Sequence, residues 1–144
     1  SEAFRFYEHR YLNKPLQQEE IREAIVSAVS RTVGNSTIEV YQNKIKYNIA
    51  QNEIYYIRSY NGYIQIYTAN DVFTKNMSLE QIEKELDDRL FFRIHRQYIV
   101  GFKNISGFFK NIVKLINGEE LEISRRNRIK FERAYVEYDL SFGD

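Results

Sequence analysis

The 144 residues include no cysteine, no tryptophan, one proline, one methionine and only two histidines. Without Cys there is no disulfide framework, no thiolate metal site and no cysteine nucleophile, which fits a reducing compartment and makes the cytoplasm the expected location. With only His9 and His95 available, and no GxxxxGKS/T phosphate loop, GxSxG elbow or HExxH pair, nothing assembles a catalytic or metal site. The adjacent Glu119 and Glu120 follow Asn117-Gly118, where solvated turn carboxylates are far commoner than an acid-base pair. No apolar run approaches membrane-spanning length and no signal peptide is visible. The expectation is therefore a protein that is not an enzyme, needs no cofactor or metal and does not enter a membrane.

What the chain does have is 43% hydrophobic residues, enough for a core, with 12 Tyr and 10 Phe. Aromatic richness with a single Pro favours a sheet-rich fold. The length allows one domain, or one domain with an appendage. The formal net charge of +1 is unevenly spread. Residues 1–88 carry 10 Lys and Arg against 13 Asp and Glu, residues 89–133 carry 11 against 4, and residues 134–144 carry none against 3. A locally basic block of this kind is the footprint expected of a polyanion-binding face, and equally of a solvated surface whose charges pair in the fold.

From Thr37 the apolar period is two. Ile38 and Val40, then Ile45, Tyr47 and Ile49, read as strands joined by a turn at Gln42-Asn43. Segments 54–60 and 63–68 flank Asn61-Gly62, a dipeptide suited to a type I′ hairpin. Ser78 with Gln81 forms a capping-box signature, and Leu79, Ile82, Leu86 and Leu90 share one face of the helix that follows. Segments 91–94, 98–100, 105–109 and 112–116 read as further strands, and Asn117-Gly118 closes a hairpin onto 121–123. A short helix is expected after Ser124, a residue that can cap it.

Two segments interrupt this pattern with polar chemistry. In Phe91 to Val100 (FFRIHRQYIV), Arg93, His95, Arg96 and Gln97 break an otherwise apolar strand, and in Ile123 to Lys130 (ISRRNRIK) a Ser is followed by Arg125, Arg126, Arg128 and Lys130. With Asn61-Gly62-Tyr63, these segments resemble the LytTR family, the DNA-binding output domain of a class of bacterial response regulators. The resemblance covers about residues 37 to 135, in the family's order. It implies an antiparallel β sandwich, mostly β with one or two short helices, over residues 37–138, that binds double-stranded DNA sequence-specifically through loops. It also implies base-reading positions at Arg96, Arg125 and Tyr63, with Asn61, His95, Gln97, Arg126 and Arg128 contacting phosphates or positioning. Arg suits base reading because its planar fork can bond guanine O6 and N7, whereas phosphate contacts carry no sequence information. Where the family usually has Asn after the Tyr-Ile-Val stretch this chain has Gly101, so the local turn is expected to be held differently and to be looser.

Each residue also has a plainer reading. His95 fits a structural histidine bonded to backbone at a strand end, Tyr63 a hairpin Tyr packed across its strand pair, and Arg126, Arg128 and Arg133 the solvated face of the last helix. A Tyr-rich sheet edge serving as a protein-interaction module is the alternative function. Residues 1–32, with Tyr11-Leu12, Lys14-Pro15 and an apolar stripe through Ile21, Ala24, Ile25, Ala28 and Val29, resemble the last quarter of a receiver domain. By that resemblance Lys14 is the switch lysine that contacts a phosphorylated Asp upstream of this chain, where a cognate sensor histidine kinase acts. The chain begins with Ser and its only Met is Met77, so it reads as a piece of a longer protein. The stripe is expected to pack on a second copy, giving a homodimer.

Overall fold

The computed structural model describes residues 36–143; the expected receiver-like segment 1–32, with Lys14, lies outside the described residues. Among the described residues there are two antiparallel sheets and two α-helices. The larger sheet has seven strands in the order β2-β1-β5-β4-β3-β7-β6: β1 (Thr37–Gln42), β2 (Ile45–Ala50), β3 (Tyr56–Tyr60), β4 (Tyr63–Tyr67), β5 (Val72–Lys75), β6 (Phe91–His95) and β7 (Tyr98–Gly101). The smaller has β8 (Ile105–Phe109), β9 (Ile112–Leu115) and β10 (Glu120–Glu122) in the order β10-β9-β8. Helix α1 (Leu79–Glu85) links β5 to β6, and α2 (Arg128–Phe142) ends the domain.

Period-two patterning gives the large sheet two apolar faces. Ile57 and Ile99 point to a cluster with Ile38, Val40, Ile64, Ile66 and Phe73 that α1 covers with Leu79 and Ile82. Their neighbours Tyr56 and Val100 point the other way, to a cluster with Val113, Leu115 and Leu121 of the small sheet and Phe131 of α2. The two sheets therefore share the second cluster, and the first lies between the large sheet and α1. Helix α2 is 15 residues long, longer than the short segment expected after Ser124, because Phe131, Tyr135 and Tyr138 stack in a continuous aromatic row against Phe102 and Phe108. Aromatic burial of this kind dominates core energetics.

Several local expectations hold in detail, and others shift. Ser78 Oγ accepts from Gln81 N–H at 3.1 Å and Gln81 Oε1 accepts from Ser78 N–H at 2.8 Å, a complete capping box. Buried Gln51 closes the other end of α1, donating to the Glu85 carbonyl and accepting from Asp87 N–H. The turn expected at Gln42-Asn43 is one residue later: Gln42 still pairs with Ile45, and Asn43 and Lys44 both take positive φ, 52° and 68°. Strand β5 had no clear signal, since four residues after an Asn-Asp turn carry only Val72 and Phe73 as apolar markers. Ser124 does not cap: its hydroxyl is buried without a hydrogen-bond partner among the described residues.

Gly101 is a point of close packing, which corrects the expected looseness. Its φ of −89° is ordinary, so conformational freedom is not what is used. A Cβ there would lie 2.7 Å from the Ile54 carbonyl oxygen. That carbonyl instead accepts from the buried Asn104 side-chain amide at 3.1 Å. Gly101→Ala is expected to destabilise the domain by about 1–3 kcal/mol through overpacking, measurable as a lower urea midpoint at unchanged slope.

Arg93 is the second structural device. Its guanidinium donates to Glu80 Oε1 at 3.1 Å and to the Arg96 carbonyl at 2.8 Å, and lies 3.6 Å from Glu83, so α1 is latched to the β6–β7 turn. The Glu80 carboxyl is held below its usual range, first by a backbone hydrogen bond at Glu80 itself and then by Arg93. A carboxyl whose pKa is lowered by folding stabilises above its unfolded value and loses that contribution as pH falls through the folded one. The latch should therefore be at full strength at neutral pH and release only below the ordinary carboxylate range. Arg93→Met should cost about 1–2 kcal/mol and speed amide exchange in residues 95–98 more than in the core strands; equal acceleration everywhere would contradict a local latch.

Candidate nucleic-acid interface

Four loops meet at one end of the domain, each tied to the next through the backbone. Pairing of β3 with β7 sets Arg58 opposite Tyr98, and Ser59 N–H continues the ladder to the Gln97 carbonyl at 2.9 Å. The β3–β4 tip, Asn61-Gly62, is thereby fixed beside the β6–β7 turn, Arg96-Gln97. Ser124 N–H donates to the Ile94 carbonyl at 2.8 Å, which holds the single turn of 3-10 helix Arg125–Asn127 next to the end of β6. Ile123 N–H donates to the Asn111 carbonyl at 2.7 Å, bringing in the β8–β9 turn, Lys110-Asn111.

The local chemistry explains why these tips keep their shapes. Gly62 takes φ of 89°, the left-handed conformation that an Asn-Gly hairpin needs. Tyr60 and Tyr63, directly opposite across the hairpin, stack with centroids 5.1 Å apart and rings within 10° of parallel. In the β6–β7 turn, His95 Nδ1 accepts from Gln97 N–H at 3.1 Å and its ring packs 5.6 Å from Tyr98. The register shift between Arg93 and His95 re-aims the side chains that follow. His95 is thus an anchor of the turn in this structure, and Tyr63 packs across its strand pair.

Two cation-bearing clefts result. Arg96, Tyr63, Gly62, Asn76 and Arg93 line one of about 350 Å³. Arg125, Arg128, Lys110 and Asn111 line the other, about 630 Å³, with Ile129 and Glu132. Of the expected base-reading residues, Arg96 and Tyr63 are brought together and Arg125 lies in the neighbouring cleft. Arg96, Arg125 and Arg126 are exposed, and none has a carboxylate within 4 Å among the described residues; Arg128 has a 3.6 Å contact to Glu132. Asn61 and Gln97 are exposed at their tips. Exposed cations with no carboxylate nearby give this end of the domain a locally positive potential.

Two contributors were not singled out from the sequence. Arg93 was visible only as a cation in a strand; its signal was the pair Glu80 and Glu83, three apart on α1 and off the Leu79-Ile82-Leu86 stripe. Arg58 lies over the rings of Tyr60 at 4.8 Å and Tyr98 at 5.5 Å, bridging the two tips, and its Nε is buried without a hydrogen-bond partner among the described residues. Such cation-π contact stiffens the platform beneath both turns. Below it, Tyr56 stacks on Tyr67 at 4.3 Å, and burial followed by a hydrogen bond to Glu119 pushes the Tyr56 phenol well above its ordinary value.

Comparison with known proteins shows the family to which this fold belongs. The family model for the LytTr DNA-binding domain matches residues 44–135. The chain is 27% identical over 146 residues to the transcriptional regulatory protein LytR of Staphylococcus aureus, covering 86% of this chain and 59% of that protein. It is 26% identical over 133 residues to the sensory transduction protein LytT of Bacillus subtilis, covering 80% and 54%. The chain thus spans a little over half the length of these curated relatives. Its fold superposes on the solved LytTr DNA-binding domain from Bacillus cereus with a TM-score of 0.64 at 19% identity, over 70% of this chain and 97% of that one. With the matched segment running from the β1–β2 turn to the middle of α2, the chain belongs to the LytTR family of DNA-binding domains.

Proposed function

We propose that this chain is the output domain of a two-component response regulator and binds double-stranded promoter DNA sequence-specifically to control transcription. The observation that carries the reading is the gathering of Arg96, Arg125 and Arg126 at one end, without carboxylate partners among the described residues, on turns linked by backbone hydrogen bonds. Arg96 and Arg125 read base edges, with Tyr63 at the hairpin tip beside Arg96. Asn61, Gln97, Arg126 and Arg128 contact phosphates, and His95 positions the turn that bears Arg96. A pre-set backbone keeps the ordering entropy of binding small, so a loop-based reader needs this bracing more than a helix-based one does.

Signal input belongs to the rest of the regulator. Residues 1–32 are the C-terminal part of a receiver domain, Lys14 is its switch lysine, and a cognate sensor histidine kinase phosphorylates the receiver upstream. The protein works in the cytoplasm, and a homodimer formed through the receiver side pairs two DNA-binding domains on repeated half-sites. Among the described residues, no helix is long and apolar enough to cross a membrane.

A site selected from random duplexes provides the cognate sequence. If Lys and Arg of the basic block neutralise about five phosphates, log affinity should fall against log salt with a slope of about −4 to −5. A slope near zero would contradict DNA binding and favour a neutral interaction module. On the selected site, Arg96→Ala and Arg125→Ala should each cost about 1–3 kcal/mol, with little change on scrambled DNA. Arg126→Ala should weaken both alike. Equal losses on both duplexes for Arg125→Ala would make it a phosphate contact.

A further inference from the structure

The β8–β9 turn is a two-residue hairpin whose first residue, Lys110, takes φ of 55°. Gly, Asn or Asp is favoured in that conformation, and Lys gains nothing from it locally. Its ammonium has no carboxylate within 4 Å among the described residues and rests 5.4 Å from the ring centroid of Phe109, itself 73% exposed. The turn is held to the basic segment by the Ile123–Asn111 hydrogen bond, and Lys110 faces the cleft lined by Arg125 and Arg128. Two Arg side chains and one Lys converge there against a single acid, Glu132, already in contact with Arg128.

We infer that the Lys110-Asn111 turn is a further DNA-contacting loop, and that Lys110 and Arg128 together seat one backbone phosphate beside the base pair that Arg125 reads. The chemistry suits a phosphodiester: a compact ammonium supplies charge without demanding one geometry, and a guanidinium supplies directed donors. Asn111, exposed at the tip, offers a neutral donor to the same strand. This inference rests on the proposed DNA-binding reading and extends the footprint past Arg125, on the side away from the β3–β4 tip.

The sequence contains a matched control. Lys44 also stands at positive φ, 68°, in a two-residue hairpin turn, and is also exposed. Its turn lies at the opposite end of the large sheet, because Gln42 Nε2 bonds the Val72 carbonyl and Val72 pairs with Tyr67, whereas Lys75 pairs with Ile64 near the reading tips. Lys110→Asn and Lys44→Asn remove the same charge and relieve the same backbone strain. Fluorescence anisotropy of the full chain with labelled mixed-sequence duplexes, titrated with salt, compares them. Lys110→Asn should make the slope of log affinity on log salt shallower by about 0.9, so the affinity lost between about 50 and 200 mM salt shrinks roughly threefold. The loss should be equal on selected and scrambled duplexes, and Lys44→Asn should match the wild-type slope. A wild-type slope for Lys110→Asn, or equal changes in both variants, overturns the inference while leaving DNA binding in place. A wild-type chain with no salt-dependent binding overturns both.

Discussion

The pairing of β3 with β7 is the contact on which the rest of the domain depends. These strands are about 40 residues apart in sequence, yet Tyr56, Ile57 and Arg58 lie opposite Val100, Ile99 and Tyr98. Without that ladder, β6 and β7 would form a separate hairpin and the β2-β1-β5-β4-β3 sheet would have an open edge at β3. With it, a single sheet separates two apolar clusters, and the Asn61-Gly62 tip sits beside the Arg96-Gln97 turn. Gly101 lets the join close, because the strand end can approach the Ile54 carbonyl only where no Cβ intervenes. Loop-closure entropy for such a distant pair is offset by burying Ile57, Ile99 and Val100, each at most 1% exposed.

The same architecture separates stiffness from recognition. Arg93, His95, Arg58 and the stacked tyrosines spend their hydrogen bonds and ring faces inside the protein. Arg96, Arg125, Arg126 and Lys110 keep their cationic ends toward solvent. In the ten-residue motif the inward-bonded residues precede the outward ones: Arg93 holds the carbonyl of Arg96, and His95 holds the amide of Gln97. Arg96 and Gln97 therefore each have an inward neighbour that fixes their backbone.

Much of this was legible from residue type and spacing. Period-two alternation located most of the strands, Asn61-Gly62 the tight hairpin, and Ser78 and Gln81 the helix start, while the cationic interruptions of an apolar pattern mark the proposed interface. What sequence could not show was tertiary. Gly101 reads as freedom and acts as space, because the carbonyl that needs the space comes from Ile54. Ser124 reads as a cap, yet its backbone N–H serves to dock the 3-10 turn on Ile94 and its hydroxyl bonds nothing described. Arg93 reads as one more cation until α1 folds back and places Glu80 against it. The assignment of reading roles came from family resemblance to motifs; charge alone left a solvated face equally open.

We propose the end of the domain formed by the four linked turns as its DNA face. Backbone amide chemical shifts of the full chain, followed during titration with duplex DNA, test this most directly. Perturbations should concentrate at residues 61–63, 95–98, 110–111 and 124–128 and be small at the Asn43-Lys44 turn on the far end. Shifts centred on the β1–β2 edge, or spread evenly over the domain, would contradict it.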